Sequence, residues 1–272
     1  MRKLSSLILL LAPLVACSSD PGAGVDPDGD SVDAGTFVVD PPMPVDPDLG
    51  CVNQPISNTA VDPIVLAGTV SALTLGGSSP VDAADVVLFR AGEPTVLART
   101  QSASGGAFST GMVASGGHAL HAYLKATKVD YRTSFFYPAT PFAENASSLV
   151  VPAISDAEFE AVKTALGATQ DDKHNGVLLV AVKDCTGTPL PGATLRVHRG
   201  NSPNSLGQAY ELGGIIPSAK GTYVVFNVPD GKVFVSASYN GTQLPEHDVM
   251  VRSTDPDCTT SKGTLTSTIV RP

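Results

Sequence analysis

From about Pro63 onward the chain runs in short two-residue alternations of apolar and polar side chains, cut repeatedly by Gly and Pro. Leu178, Val180 and Val182 alternate with their neighbours, and Ala193, Leu195 and Val197 do the same with Thr194, Arg196 and His198 between them. A period of two puts alternate side chains on opposite faces of an extended strand, whereas a packed helix needs a period near 3.6. With 26 Gly and 22 Pro to break the runs, the body is restricted to short strands joined by turns. Strands are expected at Ile64 to Leu75, Ala84 to Arg90, Thr95 to Thr100, Ala107 to Met112 and Ala119 to Lys125. One more is expected where Val129, Tyr131, Thr133 and Phe135 alternate with Lys128, Asp130, Arg132 and Ser134. Later strands follow at Tyr223 to Val228, Lys232 to Tyr239, Val249 to Val251 and Leu265 to Val270, with Asn240-Gly241 as a two-residue hairpin turn.

A single stretch breaks this pattern. Ile154 to Gly167 carries Ser155 at the N-cap with Glu158 three residues on, Ile154 and Phe159 placed as a hydrophobic staple, and Gly167 as a stop. Phe159, Val162 and Leu166 share a face, so this helix must pack against something; the seam between the two β regions is the expected partner.

Two blocks recur. Pro80-Val-Asp-Ala-Ala-Asp-Val-Val-Leu88 answers Pro189-Leu-Pro-Gly-Ala-Thr-Leu-Arg-Val197, and Gly106, Phe108, Val113 and Gly116 answer Gly221, Tyr223, Val228 and Gly231 at identical spacing. A Gly/Pro turn delivers each strand with its apolar face inward, and the aromatic fills the space between two sheets. The order Gly187-Thr-Pro-Leu-Pro-Gly-Ala-Thr-Leu195, then Gly221-Thr-Tyr223, then Val228-Pro-Asp-Gly231, resembles the carboxypeptidase regulatory-like, or transthyretin-like, family over 176–272 and more loosely over 60–140. The resemblance implies seven-stranded Greek-key sandwiches without catalytic residues of their own. The fold class expected is therefore all-β: two tandem Greek-key β-sandwiches joined by one short α-helix, after a disordered N-terminal tether. The divisions are a signal at 1–16, the tether at 17–50, one sandwich at 51–150, a helical connector at 151–175 and a second sandwich at 176–272.

The N-terminus has the three parts of an export signal: Arg2 and Lys3, an apolar core from Leu7, and small residues before a cut. Its apolar run is too short to span a bilayer, and Pro13 interrupts it. Leu14-Val15-Ala16-Cys17 resembles the lipobox of bacterial lipoproteins. That resemblance implies acylation of Cys17, anchoring to a lipid bilayer, and, with Ser18 rather than Asp after the Cys, the outer membrane. One acyl chain holds only marginally, so several chains on one Cys matter physically.

Net charge is -9, but residues 18–50 hold eight Asp and no Lys or Arg. Such a segment, rich also in Pro and Gly, cannot bury enough apolar surface to offset the entropy of ordering it. Asp26, Asp28, Asp30 and Asp33 echo a calcium loop, but Pro27 and Ser31 break that pattern and no helices flank it, so a solvated acidic spacer is expected. No basic footprint for nucleic acid is present. Besides Cys17 there are Cys51, Cys185 and Cys258. Cys185 and Cys258 lie in polar, turn-like stretches that bracket one repeat and are expected to pair, leaving Cys51 free or intermolecular.

Chemistry is sparse. None of His118, His121, His174, His198 and His247 is followed three residues later by Glu, and Gly-x-Ser-x-Gly is absent. The C-terminal Ile-Val-Arg-Pro lacks the Tyr-Arg-Gly-Ser tail of the transthyretin-like hydrolases. His118 and His121 fall on opposite faces of a strand, and Asp171, Asp172 and His174 belong to a solvated loop. There is no Trp for a sugar platform. Phe135, Phe136 and Tyr137 are the exception: consecutive aromatics cannot all point inward, so one is exposed to a partner or buried against the helix, the second being preferred. The expectation is a non-catalytic binding or structural protein of the envelope, without cofactor or metal, with a protein or polysaccharide partner. The rival is a hydrolase or other enzyme with a site built from loops.

Overall fold

A computed structural model of the chain describes residues 46–272 apart from 53, 94, 203 and 256–262. Cys17 and Cys258, with the signal and most of the acidic stretch, lie outside the described residues. In the first half the strands are β1 (Ile64–Thr74), β2 (Gly77–Pro80), β3 (Asp85–Arg90), β4 (Val96–Gln101), β5 (Ala107–Val113), β6 (Ala122–Thr127), β7 (Ser134–Tyr137) and β8 (Ala146–Ala153). After helix α1 (Asp156–Ala165) come β9 (Asn175–Val182), β10 (Thr194–His198), β11 (Gln208–Glu211), β12 (Thr222–Pro229), β13 (Gly231–Tyr239), β14 (Thr242–Gln243), β15 (His247–Val251) and β16 (Leu265–Val270).

Three sheets hold these strands. A first outer sheet places β8 on one side of β1, with β5 and β2 along the other. A second outer sheet has β13 at its centre, between β10 and β15, with β14 closing a hairpin on its end. Between them runs one eight-stranded sheet in the order β11-β12-β9-β16-β7-β6-β3-β4. Its pivot is β16, which pairs parallel with β9 on one side and with β7 on the other, so strands of both halves share one hydrogen-bonded sheet.

The sequence repeat is a repeat of topology. In the first half β8 runs parallel to β1 and β5 antiparallel to it; in the second, β16 and β12 stand the same way to β9. Likewise β6 lies between β3 and β7 as β13 lies between β10 and β15. The halves differ in their remaining strands: β4 pairs with β3 but β11 with β12 in the other layer, β2 pairs with β1 where the second half has only the Lys183–Pro189 bridge, and β14 pairs with β13. The repeated Gly106 and Gly221 both have positive φ, +73 and +68, in the region that favours glycine. A Cβ at Gly106 would overlap the Val70 carbonyl, and one at Gly221 would lie 2.8 Å from the Leu190 nitrogen. The aromatics two residues later, Phe108 and Tyr223, each enter the core of their own half.

Each face of the shared sheet is covered by different elements. Over β3, β6 and β7, the first outer sheet buries Ile64, Leu66 and Val70 against Val86, Leu88, Leu124 and Phe136. On the opposite face, over β9 and β12, the second outer sheet buries Val197, Val233, Val235 and Val249 against Leu178, Val180 and Val225. The first-core face of β9 and β12 is closed by α1 and the short turns near Leu212 and Ile216, through Phe159, Val162, Val177, Leu179 and Phe226. Fully buried leucines such as Leu66, Leu88 and Leu124 each contribute about 1.5–3 kcal/mol.

The helix forms as its caps require. Ser155 Oγ accepts from the Glu158 N–H at 3.2 Å, but the Glu158 carboxylate turns away and accepts from the Leu75 N–H at 3.2 Å, tying the helix start to β1. Gly167 ends it at φ +61. The strand expected over 129–135 does not form as drawn. Asp130 has φ +64, the Tyr131 N–H bonds back to the Lys128 carbonyl, and Val129 is 83% exposed, so this segment is a turn and the strand begins only at Ser134.

Candidate functional site: an aromatic groove on the shared sheet

Strand alternation sends Val86, Leu88, Ala122, Leu124, Ala126 and Phe136 into the first core. It therefore sends Phe89, Tyr123, Lys125, Phe135 and Tyr137 to the opposite face. In the second half that face is covered by the second outer sheet, whose last strand in this direction is β15. Beyond β15 lies a groove of about 710 Å³, floored by those five residues. One wall is His247 to Met250 with Arg252, and residues 138–141 and the turn at 91–93 close its ends.

The floor is a ladder of rings across three adjacent strands. Phe89 stacks on Tyr123 with centroids 5.2 Å apart and planes 12° from parallel, and Tyr123 stacks on Tyr137 at 5.1 Å and 22°. Phe135 is buried and tilted against Tyr123 at 6.2 Å. Burial, and then the neighbouring Tyr123, push the Tyr137 hydroxyl above its ordinary value, so it stays protonated and able to donate. Burial lowers the His247 imidazole below its usual value, leaving it neutral at pH 7, and its buried Nε2 has no hydrogen-bond partner among the described residues.

Most charges around the groove are matched. Lys125 Nζ lies 2.7 Å from Asp255, which also accepts from the Thr133 hydroxyl at 3.0 Å. Lys232 pairs with Asp248 at 2.9 Å and Glu93 with Arg90 at 3.9 Å, and the Glu246 carboxylate is hydrogen-bonded to His198 Nε2 at 2.7 Å. Arg252 differs. Its guanidinium sits 5.7 Å from the Phe135 ring centroid, no carboxylate pairs with it among the described residues, and its buried Nε has no partner there.

The triplet Phe135, Phe136, Tyr137 is thus split by strand alternation: Phe136 fills the first core, and Phe135 and Tyr137 face the groove. None of the three packs against the helix, contrary to expectation. The helix instead receives Arg132, whose guanidinium carbon lies 3.4 Å from the Phe159 ring centroid and whose two terminal nitrogens hold Asp172 at 2.8 and 2.6 Å. So Asp172, expected in a solvated loop, is half of a clamp between the two halves. Asp171 does stay exposed, bonded to His174 at 2.7 Å, and that bond holds its carboxyl below the ordinary range. His121 borders the groove, while His118 forms an isolated bridge with Thr59. Among the described residues no three His, Cys, Asp or Glu side chains group as metal ligands would.

The cysteine pairing also differs from expectation. Cys185 is bonded to Cys51 rather than to Cys258, with Cα atoms 5.9 Å apart. Two backbone contacts bring them together: the Cys185 N–H donates to the Asp48 carbonyl at 2.8 Å, and the Asp48 N–H to the Asp184 carboxylate at 3.3 Å. Leu49 and Val52 pack on the second core. From there the chain crosses to the first half, where the Ala60 N–H meets the Gly117 carbonyl. A strap of this kind has no periodicity by which sequence could reveal it.

Sequence reasoning missed Phe89, Tyr123 and Arg252. The available sign was Asp85-Val-Val-Leu-Phe89. An unbroken apolar run means that both faces of a strand are occupied, not one.

No protein-family model matches the chain, and no curated protein matches it in sequence. Among solved structures, the Bacillus anthracis TIE protein aligns over 76% of this chain and 34% of its own, at 11% identity and a TM-score of 0.25. The chain therefore spans about a third of that protein's length. GBS52, the minor pilin of Streptococcus agalactiae, aligns over 76% of this chain and 95% of its own, at 9% identity and a TM-score of 0.24. A streptococcal ancillary pilin aligns over 76% and 63%, at 10% identity and a TM-score of 0.21. Likenesses of this size identify neither a family nor a function.

Proposed function

We propose that this chain is an exported, lipid-anchored envelope protein, built on two carboxypeptidase regulatory-like sandwiches, that binds a partner without catalysis. The observation that carries the binding role is the part of the shared sheet around Phe89, Tyr123 and Tyr137, which no outer sheet covers among the described residues. Among the described residues the three cores of that sheet are closed by the outer sheets or by α1, while here half-exposed aromatics stack at an open groove. An exposed apolar patch rimmed by polar groups is a common mark of an interaction surface. The pairing of Lys125, Lys232 and Glu93 supports the non-catalytic part, because charges held in ion pairs are poorly placed to move protons. The Cys51–Cys185 bond supports export, since such bonds persist in oxidising compartments. The anchor rests on Cys17 and its neighbours.

Two measurements test this. Wild type should partition with membranes and the detergent phase, and Cys17→Ser should be released; equal partition refutes the anchor. The immobilised full chain should retain solubilised envelope material, and Phe89→Ala or Tyr123→Ala should reduce that retention. Retention unchanged in both groove variants refutes the binding role.

A further inference from the structure

We propose that the groove takes an extended, acidic segment of another polypeptide, laid alongside β15 as an added strand; this rests on the groove being the binding surface. The wall supplies the first argument. His247, Asp248, Val249 and Met250 are consecutive strand residues with alternating faces, yet all four border the groove. A groove lined by all of them follows the edge of the strand and not one of its faces. β15 pairs with β13 on one side, and among the described residues no strand pairs on the other; there the Met250 and Arg252 carbonyls accept from the Thr266 and Thr264 hydroxyls, so the free stretch of edge is His247 to Val249. An unpaired edge is a template for a further strand, and the three residues His247 to Val249 of β15 offer about 10 Å of it.

The floor decides between a polypeptide and a glycan. Sugars stack on exposed ring faces. Here Phe89 and Tyr137 lie against the two faces of Tyr123 at 5.2 and 5.1 Å, so the middle of the ladder presents ring edges. Edges carry the positive end of the ring quadrupole and suit carbonyl and carboxylate oxygens. Arg252 supplies the sign of the charge. It borders the groove as a guanidinium against Phe135, with no carboxylate partner among the described residues, whereas the neighbouring cations Lys125 and Lys232 are paired. A carboxylate on the incoming strand would complete Arg252 by a charge-assisted hydrogen bond.

The test uses the full chain and a fluorescein-labelled ten-residue peptide of alternating Asp and Val, followed by fluorescence anisotropy. The same peptide with Lys for Asp, and an oligogalacturonate of equal charge, serve as competitors. The Asp peptide should bind, weaken as salt rises, and resist displacement by either competitor. Arg252→Gln should weaken it about tenfold or more, and Tyr123→Ala should weaken it as well. Met112→Ser, on the far surface of the first outer sheet, should leave it unchanged, and circular dichroism should show each variant folded. Binding that favours the Lys peptide, displacement by the oligogalacturonate, or indifference to Arg252→Gln would each overturn the proposal. If the Asp peptide fails to bind while the groove variants still lose envelope material, this inference falls and the binding role stands. If those variants also retain envelope material like wild type, both fall.

Discussion

Breaking the clamp between Arg132 and Asp172 should be among the costliest polar changes in the molecule. Arg132 is 5% exposed, gives two short hydrogen bonds to one carboxylate, and lies flat on Phe159 of α1. Arg132→Ala removes both bonds and the ring contact and opens a void beside Phe159. Removing one partner of a buried pair costs about 3–5 kcal/mol, and the partial exposure of Asp172 places this change toward the lower end. Asp172→Ala leaves a buried guanidinium without its counter-charge, on a side chain whose Nε already has no partner among the described residues, and should cost as much or more. Because each single change already forfeits the same bonds, the double variant should be more stable than additivity implies, by about 2–3 kcal/mol. Urea unfolding followed by far-ultraviolet circular dichroism reads this directly, since the chain has no Trp to report. Additivity within about 0.5 kcal/mol would show that the two residues do not act as a pair and would refute the reasoning. Arg132→Met, which keeps an unbranched chain over Phe159, should cost less than Arg132→Ala.

The Cys51–Cys185 bond closes 134 residues, and by loop-closure entropy should stabilise the protein by at most about 5 kcal/mol. Cys51→Ala and Cys185→Ala should lower the urea midpoint alike, and a non-reducing peptide map should recover the two peptides joined; a Cys185–Cys258 peptide would refute the assignment. Asp184 should make stability fall in acid. Burial works to raise its carboxyl, but the Thr186 hydroxyl and the N–H groups of Thr188, Asp48 and Thr186 outweigh it and hold the group below its ordinary range. Its contribution is then complete above about pH 4, the unfolded value, and lost as pH drops through the lower folded value. Asp184→Asn should flatten the acid limb of a stability profile between pH 5 and about 2, and an unchanged limb would count against the network.

Local signals were legible because local physics sets them. Ser155 capped the helix, Asn240-Gly241 turned the β13–β14 hairpin with φ of +47 and +81, and the spaced glycines marked equivalent places in two copies of one topology. Half of the capping box was not, because Glu158 found a better donor in Leu75, a residue 83 positions away. The groove was hidden for a related reason. That Tyr123 and Lys125 lie opposite Leu124 follows from strand period, but that among the described residues no outer sheet covers Tyr123 follows from where β15 stops, which is a matter of tertiary packing. The strand misplaced at 129–135 had the right alternation, overridden by an Asp130 carbonyl that accepts from the helix N-terminus at Asp156.

The pairing of β16 with β7 has a consequence for the order of assembly. During synthesis or translocation the first half emerges with the edge of β7 bare, and the strand that seals it arrives only after the whole second half has passed. Until then the nascent chain carries an unsatisfied ladder of amides next to its aromatic floor, a state that invites wrong neighbours. Closure of the sheet therefore waits on β16, and a chain cut short before residue 265 would be left with two raw edges, on β7 and on β9, that β16 otherwise seals.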